Sequence, residues 1–188
     1  MSEATLKRIE KAIAQLGRRQ EEVCERISAL EERVANPNAP TRQEVVEFID
    51  KFAAGEALGE ELFGIWIGSC RTDCLRGGLR TIQQREGMHS RLLYERLKEL
   101  GGTPSHEIPD EVREGGLAMM ASTDSTDAQK LLTFMGQFPD VDAVLSELTG
   151  LASRLDCDQE TQSLLRTVEQ DERATLAFLG EACALLNP

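Results

Sequence analysis

The chain has 188 residues, enough for one well-buried core, and a formal net charge of −12, which excludes recognition of nucleic acid through a basic face. A single Trp and a single Tyr amid abundant Leu, Ala, Glu and Arg point to helices throughout, and five cysteines without disulfide-scaffold spacing suit a reducing compartment. No basic segment followed by an apolar run opens the chain, and the longest apolar stretch, Leu62 to Ile67, is interrupted by Gly64, so a soluble, cytoplasmic protein without a membrane span is expected.

The first element reads as a coiled coil. Leu6, Ile9, Ile13, Leu16, Gln20, Val23, Ile27, Leu30 and Val34 follow one another at spacings of three and four. β-Branched residues at most a positions, with the polar Gln20 at the central one, favour two strands in fixed register. We therefore expect a homodimer or higher homo-oligomer through residues 6–34. The alternative is that this helix lies along its own bundle as a fifth helix. In the coiled-coil dimer, Cys24 occupies an e position beside the seam, placed for a cross-link under oxidation. The stiff break Asn36-Pro37-Asn38-Ala39-Pro40 separates an N-terminal domain, 1–38, from a second, 39–188. Thr41 and Glu44 form a capping box that starts the next helix.

Four helices follow, at roughly 42–69, 74–100, 127–155 and 158–186, and strand signals are absent. Between the second and third lies Gly101 to Thr126, rich in Gly, Pro, Ser and Thr and too long for a plain hairpin turn. Met119 and Met120 within it suit a short covering helix. The helices repeat: residues 48–100 reappear, much diverged, as 134–186. Phe48 and Phe52 fall on Phe134 and Phe138, Glu61-Leu62 on Glu147-Leu148, Glu86 on Glu172, and Leu93 on Leu179. Gly101 and Asn187, residue types that accept a left-handed C-cap, close the two copies. Asp142 falls under Glu56 and Thr175 under His89.

Each helix interrupts its apolar stripe with acid. Glu56 sits between Phe52 and Phe63 in the first, and Glu86 and His89 occupy consecutive core positions at i and i+3 in the second. Asp142 lies in the stripe of the third, and Glu172 and Thr175 in that of the fourth. Glu56 and Glu86 lie equally far from the turn at Arg71, as Asp142 and Glu172 do from the turn at Cys157, so antiparallel packing sets all four carboxylates and the imidazole at mid-bundle. Charges at that depth must be neutralised or paired. Oxygen ligands with an imidazole suit iron or manganese, and two carboxylate-bridged ions would relieve the repulsion among the acids.

The stretch Phe52-Ala53-Ala54-Gly55-Glu56, then Glu86-Gly87-Met88-His89, then Leu100-Gly101-Gly102-Thr103-Pro104 resembles the ferritin-like superfamily, with rubrerythrins and di-iron hydroxylases the nearest in character. The resemblance covers residues 43–187 as architecture and the first half as motif. It implies a ferritin-like four-helix bundle of two repeated hairpins joined by a long crossover, with a di-iron or di-manganese centre held by Glu56, Glu86, His89, Asp142 and Glu172. Three positions depart from the family pattern. Thr175 stands where a second His belongs, Asp142 is one methylene short, and Pro139 must kink or restart the third helix. Glu169-x-x-Glu172 offers another acidic pair, but the repeat register places Glu172 in the role of Glu86.

Other residues weigh less. Cys70, Cys74 and Cys157 are expected to gather at one turn end of the bundle, as a redox pair or metal clip or simply as small residues at helix ends. His106 reads as a solvated loop residue, and Glu61 and Glu147 as surface partners of Lys or Arg. Two functions are compatible with these features. One is oxygen, peroxide or iron-related redox chemistry at a di-metal site, an oxidoreductase activity in the ferritin-like manner. The other is a non-catalytic assembly or adaptor role carried by the coiled coil, with the metal site degenerate.

Overall fold

The computed structural model describes residues 3–35 and 37–187, and every regular element among the described residues is helical. The chain divides into two compact units, Met1–Ala39 and Pro40–Pro188. The first is α1 (Glu3–Ala35). Its seam residues Ile13, Leu16, Val23 and Ile27 are between 49 % and 65 % exposed, and the side chains of Leu6, Ile9, Leu30 and Val34 lie outside the described residues. No described helix is long and apolar enough to cross a membrane.

The second unit is a helical bundle. Its first hairpin pairs α2 (Arg42–Ser69) with α3 (Asp73–Glu99). The Thr41 backbone N–H donates to Glu44 Oε2 at 2.7 Å while the Glu44 N–H donates back to Thr41 Oγ1 at 3.2 Å, completing the expected capping box. Gly101, at φ 72°, ends α3: its N–H donates to Lys98 O, and that of Gly102 to Leu97 O, the Schellman pattern that needs a residue free to turn left-handed. Asn187 does not repeat that geometry. Its φ is −128°, and it closes the last helix through its side-chain amide, which donates to Cys183 O and Ala128 O.

From Gly101 the chain returns along α2. Asp50, buried on α2, accepts from the Ser105 N–H, the Ser105 hydroxyl and the His106 N–H, tying the start of the crossover down. The crossover then forms α4 (Asp110–Ala121), which buries Met120 completely. At the far end Asp127 gathers four donors at 2.8–3.1 Å: Trp66 Nε1, the N–H groups of Arg71 and Thr72, and the Thr72 hydroxyl. Lys130, 1 % exposed, places its ammonium on Ser69 Oγ and Met120 O, stitching α2, α4 and α5 together at that end.

The expected third helix is broken into α5 (Asp127–Met135), α6 (Val141–Val144) and α7 (Ser146–Ala152). Proline has no N–H to donate and disfavours helical backbone at the residue before it, so Pro139 stops the helix and Asp140 restarts it as N-cap, accepting from the Asp142 and Ala143 N–H groups. The final helix, α8 (Gln159–Leu186), packs on α3, α5 and α7.

Arg96 near the end of α3 bonds Asp158 and Glu160 at the start of α8. Cys157 therefore lies at the opposite end from Cys70, and the expected gathering of the turn cysteines is corrected. The crossover spans the whole length of the bundle, which puts the second hairpin's turn at the other end.

Two apolar clusters result. One contains Ile49, Ala53, Leu93, Leu148, Leu165 and Val168; the other contains Phe63, Trp66, Leu79, Ile82, Leu131 and Leu179. Along α2, α3 and α8 alike, the residues between the clusters are polar: Glu56 on the first, Glu86 and His89 on the second, Glu172 and Thr175 on the third.

Candidate metal centre

The polar layer is built by helical spacing. Glu86 and His89, three apart on α3, project from one face, as do Glu172 and Thr175 on α8. Glu56 meets them from α2. His89 is 1 % exposed, with Nδ1 at 3.1 Å from Glu56 Oε2 and Nε2 at 3.1 Å from Asp171 Oδ2. Glu172 Oε1 lies 3.5 Å from His89 Nδ1 without hydrogen-bond geometry. Ligand atoms of Glu56, His89 and Glu172 all fall within 4.8 Å of one another, the only such trio of His, Cys, Asp or Glu among the described residues. Glu86, also buried, hydrogen-bonds to Glu56 and lies against the α2 backbone at Gly59, where any side chain would strike its carboxylate.

Burial and mutual repulsion decide the protonation. Burial pushes the Glu56 carboxyl up to about 7, with the Glu172 charge adding to the rise and His89 opposing it. Glu86 is driven well above the ordinary carboxylate range by burial and by the charges of Glu172 and Glu56. Burial works against a charge on His89, but Glu172, Glu56 and Asp171 outweigh it and hold the imidazole up at about 10. The layer without metal is thus an imidazolium among carboxylates.

Glu56, Glu86 and His89 bind protons more tightly in the folded chain than in the unfolded one, so stability falls as pH rises. The His89 contribution is complete below its ordinary 6.5 and is lost towards 10, and that of Glu56 is lost from its ordinary 4.5 towards 7. Urea unfolding of chelated protein is expected to give a higher midpoint at about pH 5.5 than at about pH 8.5. A midpoint that rises with pH would refute this charge assignment.

Of the five residues predicted from sequence, the structure brings Glu56, Glu86, His89 and Glu172 together. It does not bring Asp142. That residue opens α6, its side chain 85 % exposed and paired with Arg173 at 2.7 Å, because the restart after Pro139 carries its position off the buried stripe. Thr175, under His89 in the repeat, is 3 % exposed. Its hydroxyl and Glu172 Oε1 are buried without hydrogen-bond partners, and such orphaned groups are costly unless something else meets them.

Asp171 escapes a sequence reading because it lies one residue off the stripe. Its repeat counterpart is Arg85, and the two meet at 3.6 Å, so the pseudo-symmetric positions pair with each other and aim the Asp171 carboxylate at His89. A carboxylate on the far nitrogen of a ligating imidazole fixes its tautomer and orientation, and Asp171 is placed for that role.

Beside the layer lies a cavity of about 410 Å³. Glu56, Glu86, Glu172 and Thr175 line one side of it, and Phe52, Phe63, Phe134 and Phe138 supply most of its aromatic wall. Phe134 and Phe138 contact at 5.0 Å between centroids, as their counterparts Phe48 and Phe52 do at 5.5 Å. The other residues singled out from the sequence form no site: Cys74 and Cys157 are exposed free thiols, Cys70 is buried, and Glu61 and Glu147 pair with Arg113 and Lys51. No family model, no curated protein and no solved structure matches this chain.

Proposed function

We propose that the second unit is a diverged ferritin-like bundle that holds a transition metal, iron or manganese, and serves oxygen, peroxide or iron-related redox chemistry. The observation that carries this reading is the buried Glu56, His89 and Glu172 trio with unpartnered oxygens at Glu172 and Thr175 beside it. The bundle's single long crossover and repeated hairpins support the same ancestry.

Glu56, His89 and Glu172 would hold one ion, with Glu86 as a fourth donor after loss of its proton. The di-iron or di-manganese pair implied by the resemblance lacks Asp142 and a second imidazole here, and one ion is the reading we adopt. A bound iron or manganese supplies one-electron exchange with oxygen or peroxide. The chain's own residues do the rest. On metal binding His89 would release its Nδ1 proton to solvent, its Nε2–H would stay on Asp171, and Glu56 and Glu172 would offset the cation's charge. Phe52 and Phe63 line the cavity beside the layer with apolar surface.

Protein reconstituted anaerobically with ferrous or manganous ion and desalted is expected to retain one equivalent, and His89→Ala to lose it. Two retained equivalents would restore the paired centre, and retention of metal with an unchanged spectrum in the His89 variant would remove His89 from the ligand set. Sub-stoichiometric metal in the parent protein would overturn the reading.

The exposed seam of α1 favours a second role, assembly through this helix. Deleting residues 1–38 is expected to convert a dimer into a monomer in light scattering while helicity per residue stays nearly constant. An unchanged particle stoichiometry would transfer association to the bundle.

A further inference from the structure

The break between α5 and α6 does more than displace Asp142. Phe138 within it and Val144 on α6 line the 410 Å³ cavity together with the exposed Gly55, where a Cβ would meet no atom within 4 Å. That volume lies in the range of small-molecule sites, and its walls are mainly aromatic and aliphatic, the surface that buries a hydrocarbon body. Polarity is unevenly distributed around it. The carboxyl groups of Glu56, Glu86 and Glu172 lie at the inner side, against the His89 imidazole, whereas the exposed polar side chains of the lining are two nitrogen bases, Lys51 and His106. An anionic head finds its basic partners at the outer side. The Lys51 ammonium keeps donors to spare beyond its 3.2 Å pair with Glu147.

We infer that this cavity binds a monocarboxylic acid with an apolar body of roughly eight to twelve carbons, the chain lying among Phe63 and Phe134 and the carboxylate held outside by Lys51 and His106. The cavity shares Glu56, Glu86 and Glu172 with the proposed metal layer, but Lys51 and His106, which hold the carboxylate, are not among the metal ligands, so binding is expected without metal.

Calorimetric titration of full-length, chelated protein with hexanoate, octanoate and decanoate, each below its micelle concentration, tests the inference. Saturable binding of one molecule per chain is expected, tightening about fourfold for each added methylene. Decanol and decylamine should bind at least tenfold more weakly than decanoate, and Lys51→Ala should weaken decanoate severalfold without affecting decanol.

Gly55→Leu fills the cavity from α2 and is expected to abolish decanoate binding while the thermal melt stays cooperative. If that variant fails to fold, Val144→Trp blocks the same cavity from α6. Lack of saturable binding by the parent protein, equal binding of decanol or decylamine, or undiminished binding by a folded blocking variant would overturn the assignment. So would binding only after metal loading, which would place the ligand on the metal instead; loss of metal binding with decanoate binding intact would sink the metal reading alone.

Discussion

Replacing Glu86 and His89 together by Leu and Met is expected to destabilise the protein when metal is present and to stabilise it when both forms are compared chelated. Without metal, the layer costs stability: the buried polar side chains of Glu86 and His89 interrupt the apolar core, and an oxygen on each of Glu172 and Thr175 is unpartnered. The two replacements would join the apolar clusters on either side, Leu93 below and Ile82 above on the same helix. Exchanges of buried polar groups for well-packed apolar ones are typically neutral or stabilising by about 1–4 kcal/mol. With metal, the balance reverses. An ion bound only by the folded chain contributes about 4 kcal/mol at a thousandfold excess over its dissociation constant. Denaturant unfolding of both proteins, with chelator and with metal, reads the sign directly. A gain under both conditions would mean that the bundle kept the acids without their chemistry.

Asp127→Ala is expected to cost about 3–5 kcal/mol whatever the metal content, because it strands one buried and three part-buried donors at once. Trp66 Nε1, the Arg71 and Thr72 N–H groups and the Thr72 hydroxyl all lose their acceptor, and the buried Lys130 ammonium loses the nearby negative charge that favours it. Burial alone would raise the Asp127 carboxyl, but these donors hold it below the ordinary carboxylate value. Its contribution is therefore present at neutral pH and disappears as acid protonates it, below about pH 4. Asp127→Asn should recover part of the loss, since the amide keeps one acceptor oxygen. The test is urea unfolding of the three proteins at neutral pH; a loss under about 1 kcal/mol for the alanine variant would deny Asp127 its place as the junction of α2, α3 and α5.

Period and punctuation in the sequence determined the helical class, the start of α2 at a capping box, the Schellman end of α3 and the polar layer. Those are local properties: a stripe of apolar residues interrupted at Glu56, Glu86 and Glu172 is visible one helix at a time, and the repeat aligns the levels. Even the break at Pro139 is local, since the missing N–H ends a helix in any context.

What the break did to Asp142 was not local. Whether a restarted helix rejoins the core depends on how Leu145 and Leu148 dock against Ile49 and Leu165, contacts between residues far apart in the chain. Docking turned Asp142 outward to Arg173. Asp171 and Lys130 belong to the same class. Nothing in their neighbours marks them, because the partner of Asp171 is His89, on α3, and the acceptors of Lys130 are the hydroxyl at the end of α2 and a carbonyl at the end of α4. Periodicity reports which face of a helix is buried, whereas the identity of a buried polar group's partner is decided only when separate helices meet.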